Sequence, residues 1–243
     1  MTYRGIIYSL LSLLLASSTL IACGPKEVIS PDANLEAVIR EAIDKPKGSI
    51  QPSDLKGLSY LNAHERNITD LTGLEYCINL TKLHLYTNRI NDISSLASLN
   101  NLTELQISSN QISDISALVN LTNLRSLNLT NNKITDISAL ASLTNITILR
   151  IGRNWISDIS QLTNLTKLTV LVSVDNQITD IAPLASLTNV TELWLSRNRI
   201  SDISPLASLT DLTKVTLGGN PLNDESVKVY IPQLEESGVE VIH

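Results

Sequence analysis

The sequence is short of several kinds of residue, and each shortage narrows the class of protein. Its 243 residues include no Phe, one Met, two Cys and only 3% aromatic residues. Nine Gly and eight Pro are too few for a collagen-like or low-complexity chain. A charged fraction of 17% is too low for a disordered one. We therefore expect a folded chain with a core made almost entirely of aliphatic side chains.

Positive charge is also scarce. The chain has 18 Lys and Arg against 24 Asp and Glu, which gives a net charge of -6 at pH 7. A protein that binds phosphate backbones usually carries a basic excess, so we expect no nucleic-acid partner. We find no Ser-His-Asp set, Gly-rich phosphate loop or Cys-x-x-Cys pair in an arrangement that predicts catalysis. The sequence therefore predicts neither an enzyme nor a bound cofactor.

The first 22 residues have the composition of a targeting segment. Arg4 precedes an uncharged run over 5–22, and this run ends at a small residue before a break, as in secretory signal peptides. Leu20-Ile21-Ala22-Cys23 resembles the lipobox of bacterial lipoproteins. The resemblance implies cleavage before Cys23, its lipidation, and export to the cell membrane or the outer membrane. The alternative is an uncleaved transmembrane anchor, because about 18 apolar residues can marginally span a bilayer.

A period of 22 residues organises most of the remaining chain. Counted from Leu58, eight units cover 58–233, and the last one degenerates after Asn220. The frame is L-x-x-L-x-L-x-x-N-x-I-x-D-I, as from Leu102 to Ile115, and positions within a unit are numbered from its first Leu. From the second unit onward, seven turn asparagines hold position 9 at a constant spacing of 22: Asn88, Asn110, Asn132, Asn154, Asn176, Asn198 and Asn220.

This frame is similar to the leucine-rich repeat, in the short form found in internalins and in regulatory subunits of protein phosphatase 1. The resemblance implies an α/β solenoid: a right-handed horseshoe with a parallel sheet on the concave side and short helical turns on the convex side. The residues agree, because apolar positions 4 and 6 alternate as in a strand and stacked units bury a continuous core. Cys77 holds the place that Leu99 holds one period later, so we expect a buried, unpaired thiol.

A stack of repeats needs a cap at each end. Apolar residues at the spacing of an amphipathic helix, Leu35, Val38, Ile39, Ala42 and Ile43, predict a helical cap at the amino-terminal end. A second helix is predicted from Glu225 to about Glu236, with a last strand up to Ile242. The expected domains are a signal peptide (1–22), the lipidated Cys and a linker (23–30), the helical cap (31–57), the repeats (58–233) and a C-terminal cap (220–243) overlapping them.

Two sets of side chains raise the question of a metal ion, and we expect none. The carboxylates at position 13 could attract calcium, or each could cap its own turn. Calcium needs six or more oxygens that converge on one point, whereas the carboxylates of a column point away from each other. We therefore expect caps. His64 and His84, on neighbouring strands, are too few and too offset for zinc and are expected to be solvated. The column comprises Asp70, Asp92, Asp114, Asp136, Asp158, Asp180, Asp202 and Asp224.

The repeat frame leaves positions 3, 5 and 7 free to vary, and these positions face the concave side. In units five to seven they form a cluster, here called the apolar patch, on an otherwise polar sheet. Such clusters with Trp and Arg nearby are typical of interaction sites. The alternative is that the strand around Ser173 bulges and turns Val172 or Val174 inward. The apolar patch comprises Ile148, Val170, Val172, Val174 and Trp194.

We therefore expect a monomeric, lipid-anchored, extracytoplasmic module that binds a protein or peptide through its concave sheet. Position 8, at the rim, carries Arg153, Asp175 and Arg197, which could equally form an ion-pair ladder. The alternatives are a passive envelope protein without a ligand, a regulator of an enzyme partner, and a glycan binder that uses Trp194, Tyr86 and Tyr60. The predicted contact residues are Ile148, Arg150, Arg153, Trp155, Val170, Val172, Val174, Trp194 and Arg197.

Overall fold

The computed structural model describes residues 27–28 and 30–243. The predicted signal peptide and Cys23 lie outside the described residues, and so does most of the predicted linker. Within the described residues, nine short strands form one parallel sheet in chain order. They are β1 (Tyr60–Asn62), β2 (Lys82–His84), β3 (Glu104–Gln106), β4 (Ser126–Asn128), β5 (Ile148–Arg150), β6 (Val170–Val172), β7 (Glu192–Trp194), β8 (Lys214–Thr216) and β9 (Glu240–Ile242).

The sheet keeps the repeat period as its register. From β1 to β8, each residue pairs with the residue 22 positions later, as Val172 pairs with Trp194. The last pair has a longer offset, with Lys214 beside Glu240, because a helical segment separates β8 from β9. The predicted solenoid with its parallel sheet is confirmed.

The core is aliphatic and continuous along the stack. In unit five, positions 1, 4, 6, 11, 14, 17 and 20 are all buried. Each buried Leu or Ile contributes about 1.5–3 kcal/mol relative to exposure, and no unit can bury these side chains alone. Cys77 lies in this core, where burial and then Glu75 raise the pKa of its thiol to about 12. The thiol therefore stays protonated and unreactive.

The turn asparagines join each unit to the one before it. The Oδ1 atom of Asn154 accepts the N–H of Ile134 at 3.0 Å, and its Nδ2 donates to the carbonyls of Leu129 and Ile151. All seven asparagines repeat this pattern, with Oδ1 to N distances of 3.0 or 3.1 Å. The amide side chains thus satisfy backbone groups that the turn leaves without partners, as predicted.

Position 8 adopts a left-handed backbone in every unit, a feature that the sequence analysis did not predict. The φ angles are +53° for Arg153, +56° for Asp175 and +56° for Arg197. The same conformation holds Glu65, Thr87, Ser109, Asn131 and Gly219. These residue types share no chemistry, so the sequence gives no signal for the conformation, although it costs most residues about 1–2 kcal/mol.

The chain returns along the convex side through short 3-10 helices. Seven of the position-13 carboxylates accept the N–H of the residue two positions later, each at 2.8 Å. These bonds lower the pKa of Asp114 and of Asp158, and the backbone N–H of the following Ser is the main cause in both. The helices are Leu74–Tyr76, Ser94–Leu96, Ser116–Leu118, Ser138–Ser142, Ser160–Asn164, Ala182–Ser186 and Ser204–Ser208.

Asp224 does not follow this pattern, and its inclusion in the capping column was wrong. Its Oδ2 atom instead pairs with Nζ of Lys228 at 2.7 Å. Asn223 accepts the N–H of Ser226 at 2.7 Å in its place. The cap moves by one residue because the eighth unit continues into a longer helical segment instead of a 3-10 turn.

Two outer ladders run beside the buried asparagines. At position 22, Asn101 Nδ2 donates to the carbonyl of Ile78 at 2.9 Å, and four further units repeat the bond. At position 2, Thr103 Oγ1 donates to the carbonyl of Thr81, and five further units repeat that bond. The recurrent Asn-x-Thr triplets thus serve the stacking of the repeats.

Helix α1 (Ala33–Ala42) forms the predicted amino-terminal cap. Asp32 accepts the N–H groups of Asn34 and Leu35, both at 3.0 Å, and its other carboxylate oxygen accepts the N–H of Thr69 at 2.7 Å. One side chain therefore both starts the helix and fastens it to the first repeat. Val28, assigned to the linker, is buried and donates its N–H to Ile50.

The predicted carboxy-terminal helix is also confirmed, with one local difference. A π-helical turn (Ser226–Tyr230) runs into α2 (Ile231–Glu236). Ile231 donates its N–H to Ser226, five residues back, and Pro232 has no N–H to continue a regular ladder.

No helix in the described part of the chain has the length and apolar character needed to cross a bilayer.

Candidate functional site

The strand register brings the predicted apolar patch together. Ile148 pairs with Val170 across β5 and β6, and Val172 pairs with Trp194 across β6 and β7. Neighbouring strands are about 4.8 Å apart, so these side chains touch along the sheet. All are half-buried on the open face, because each one shields the next from solvent.

Ser173 keeps its inward place, so the bulge considered above does not occur. It is fully buried, and its carbonyl accepts Nδ2 of Asn198 at 2.8 Å. Its N–H donates to the carbonyl of Trp194 at 2.8 Å, which continues the regular ladder. Because the register is intact, Val172 and Val174 stay on the open face.

Trp194 is held in a fixed orientation. Its Nε1 donates to Oε2 of Glu192 at 3.1 Å, and Nζ of Lys214 lies 5.4 Å from the ring centroid. Lys214 is in turn bound by Glu240 at 2.9 Å. A ring fixed on two sides loses little conformational entropy when a partner covers the rest of it, which favours its use as an anchor.

Gly152 provides room for the edge of the apolar patch. A Cβ atom at this position would lie 3.0 Å from Cγ2 of Val174 and 3.1 Å from its carbonyl oxygen. A larger residue would therefore collide with both the side chain and the backbone of Val174, and the glycine allows this close approach.

The rim beside the patch forms a shallow groove of about 630 Å³. Asp175 lies between two arginines, 3.7 Å from Nε of Arg153 and 3.5 Å from Nη1 of Arg197, as the predicted ladder requires. Trp155 is 54% exposed and lines the same groove with Lys133. The structure thus places six of the nine predicted contact residues on the open face of the sheet and three, Arg153, Trp155 and Arg197, along the groove at its rim.

The histidines differ from expectation, because they are packed rather than freely solvated. His64 stacks on Tyr86 with ring centroids 4.5 Å apart. His84 lies 3.0 Å from Oε1 of Glu104 and contacts the ring of Tyr60 edge-on. Burial alone would raise the pKa of Glu104, but His84 and Lys82 outweigh it and hold the pKa below its usual value.

This cluster occupies the concave face at the amino-terminal end, away from the apolar patch. Positions 3, 5 and 7 of units one to three supply it, so the repeat register alone would have located it. Among the described residues, no group of three His, Cys, Asp or Glu side chains is placed to hold a metal ion.

Comparison with known proteins identifies similar repeats. A family model described as leucine-rich repeats in two copies matches residues 100–142, 144–186 and 188–227. Comparison with curated proteins finds no match.

Solved structures of Listeria monocytogenes internalins are similar over most of the chain. The internalin inlF is 37% identical with a TM-score of 0.83, over 92% of this chain and 66% of that one. Internalin C2 is 37% identical with a TM-score of 0.82, over 89% of this chain and 94% of that one. A plant peptide hormone receptor, RGFR1, solved in complex with RGF2, is 26% identical with a TM-score of 0.55, over 61% of this chain and 26% of that one. This chain thus spans just under two thirds of the inlF structure and a quarter of the receptor.

Proposed function

The chain belongs to the leucine-rich-repeat family in its internalin-type form, and on that premise we propose that it recognises a protein or peptide partner through its concave sheet. The apolar patch forms the centre of the binding surface, and Arg150, Arg153, Trp155 and Arg197 form its edge. We further propose that the chain acts as a monomer and has no enzymatic activity.

One observation carries the proposal: the apolar patch lies on a sheet whose preceding strands, β3 and β4, present a polar face. Repeat solenoids use the concave surface to bind partners. Strands β3 and β4 present only polar side chains there, namely Glu104, Gln106, Ser126 and Asn128. Five apolar side chains in adjoining columns, one of them an oriented Trp, match the composition of binding hot spots.

The likeness to the plant receptor supports a polypeptide as the ligand. That protein is described as a peptide hormone receptor, and its structure holds a bound RGF2. A glycan would be expected to stack on aromatic rings that lie in a row along the face. Tyr60 and Tyr86 of this chain instead contact histidines at the far end of the sheet from Trp194.

We also propose that the module is exported and held at a bacterial membrane by lipid on Cys23. The support is the sequence Leu20-Ile21-Ala22-Cys23 after an uncharged run. Several acyl chains on one terminus would hold it stably, at about 0.8 kcal/mol per buried methylene. The mass of the mature amino-terminal peptide distinguishes this anchor from an uncleaved helix.

Affinity capture from a bacterial envelope extract tests the binding face. We expect Trp194→Ala to lower recovery of the partner by at least about tenfold, since truncating a central Trp commonly costs about 2 kcal/mol or more of binding. The melting temperature should stay nearly unchanged, because Trp194 faces outward and leaves no cavity in the core.

Ser126→Ala is the matched control, since Ser126 lies in β4 on the polar part of the same face. Equal recovery by wild type and Trp194→Ala would refute the proposed face. Recovery of nothing by the wild type would favour a passive envelope protein, and a large loss of stability in Trp194→Ala would mean that this side chain belongs to the core.

A further inference from the structure

The rim next to the apolar patch carries positive charge in a chain that is acidic overall. Positions 8 and 10 of units four to seven form two adjacent columns along the solenoid. They contain four cations, Lys133, Arg153, Arg197 and Arg199, here called the basic rim, and a single carboxylate, Asp175. The whole chain has a net charge of -6, so this concentration of cations is local.

Most of this positive charge is not neutralised within the protein. Asp175 is shared between Arg153 and Arg197, at 3.7 and 3.5 Å, so one negative charge serves two arginines. In the described part of the chain, no carboxylate oxygen lies within 4.0 Å of the side-chain nitrogens of Lys133 or Arg199. The same holds for Arg150, which lies between the rim and the apolar patch.

The basic rim is long enough to contact several residues of a partner, and it includes an exposed aromatic side chain. Units four to seven span three strand intervals of about 4.8 Å, or roughly 14 Å. An extended polypeptide of four or five residues covers that distance at about 3.3 Å per residue. Trp155 stands in the same column as Lys133 and Arg199 with half of its surface exposed, so the groove offers an apolar contact among its cations.

We infer that the partner presents an acidic polypeptide segment to the basic rim and places apolar side chains on the patch. This inference rests on the proposed function and specifies its ligand. Carboxylates match unpaired Lys and Arg side chains, and a polypeptide also carries the aliphatic groups that the adjoining patch requires. A nucleic acid could offer phosphates to the rim but has no such aliphatic side chains for the patch.

Selection from a random displayed peptide library tests the inference, using the full-length chain purified in detergent. We expect the selected peptides to be enriched in Asp and Glu relative to the input. A selected peptide, labelled for fluorescence anisotropy, should bind about tenfold more weakly when NaCl rises from about 50 to about 500 mM, because salt screens the rim charges.

A rim variant, Lys133→Gln with Arg153→Gln and Arg197→Gln, should lose at least about tenfold in affinity for that peptide. The matched control is Lys47→Gln with Lys56→Gln and Lys228→Gln, which removes the same number of charges from exposed sites outside this face. It should change affinity by less than about threefold, because distant charges are screened.

The outcomes separate the inference from the proposed function. The inference would be overturned, and the proposed face left intact, by selected peptides that have no acidic excess and that bind the rim variant but not Trp194→Ala. Acidic peptides that bind the rim variant as well as wild type would also overturn it. Acidic peptides that bind Trp194→Ala but not the rim variant would support the role of the basic rim and refute that of the apolar patch. No enrichment of any sequence would contradict both.

Discussion

At the scale of single residues, the turn asparagines carry much of the specificity of the fold. Asn154 is almost fully buried and bonds to three backbone carbonyls and one N–H in two consecutive units. We expect Asn154→Ala to lower the free energy of unfolding by about 2–4 kcal/mol, because these buried groups would lose their partner. Urea denaturation followed by circular dichroism measures this loss.

Asn123→Ala serves as its control. Asn123 belongs to the outer ladder, is exposed, and makes one bond, to the carbonyl of Asn100 at 2.8 Å. Water can replace that bond, so the cost should stay below about 1 kcal/mol. Similar losses in both variants would show that the buried ladder has no special role.

The two kinds of turn residue show what a sequence can and cannot reveal. Position 9 needs one side chain with both a donor and an acceptor in a fixed place, so Asn recurs there and the pattern is visible. Position 8 needs only a left-handed backbone, and Thr87, Arg153 and Asp175 all adopt it. The requirement at position 8 falls on the φ angle and not on side-chain chemistry, so residue identity did not reveal which turn residue is left-handed.

At the scale of elements, the amino-terminal cap depends on Asp32. Burial would raise the pKa of this carboxyl, but bonds from Thr69, Leu35 and Asp70 outweigh it and lower the pKa below its ordinary 3.8. A lowered folded-state pKa stabilises the fold above the unfolded value, and that stabilisation disappears as the pH falls through the folded value. We expect Asp32→Ala to be destabilised at pH 7, and its difference from wild type to shrink below about pH 3.8.

Asp32→Asn provides the comparison for that titration, because it keeps an oxygen acceptor for the helix start but has no charge to lose. Chemical denaturation at a series of pH values should show a flatter acid limb for this variant than for wild type. A constant difference between wild type and Asp32→Ala over the same range would argue against a titrating cap.

The elements themselves could be predicted wherever packing dictates the pattern. The strands and α1 follow from apolar spacing, because each element must bury one side. The end of the eighth unit could not be predicted as well, since Asn223 and Asp224 are both suitable caps and only the longer helical segment selects Asn223. The register sets the members of the histidine cluster side by side, but their ring contacts depend on side-chain conformations that the repeat pattern does not specify.

At the scale of the whole molecule, the constant register is what makes a binding surface. Val172 and Trp194 are distant in sequence, yet adjacent strands place them side by side. Any residue at position 3 or 5 therefore extends a column along the sheet, and a change of composition over three units produces a patch. The prediction of the patch depended on this register, which Ser173 preserves by remaining inward.

The same modularity predicts the result of removing whole units. Deletion of 102–123 removes unit three from the polar part of the sheet. Deletion of 168–189 removes unit six, with all three valines of the apolar patch and Asp175. Both variants should fold, because each unit contacts mainly its neighbours and the two flanking units present the same interface. Both should unfold at lower urea concentrations than wild type, by similar amounts, because each loses one unit and one interface.

We expect the two deletion variants to differ in partner binding although their stabilities are alike. The variant without 102–123 keeps the apolar patch and the basic rim and should retain the partner in affinity capture. The variant without 168–189 joins β5 directly to β7, which removes the centre of the patch and the carboxylate between Arg153 and Arg197. Binding that is lost in the first variant and kept in the second would place the functional surface at the amino-terminal part of the sheet, where His64, His84 and the tyrosines lie.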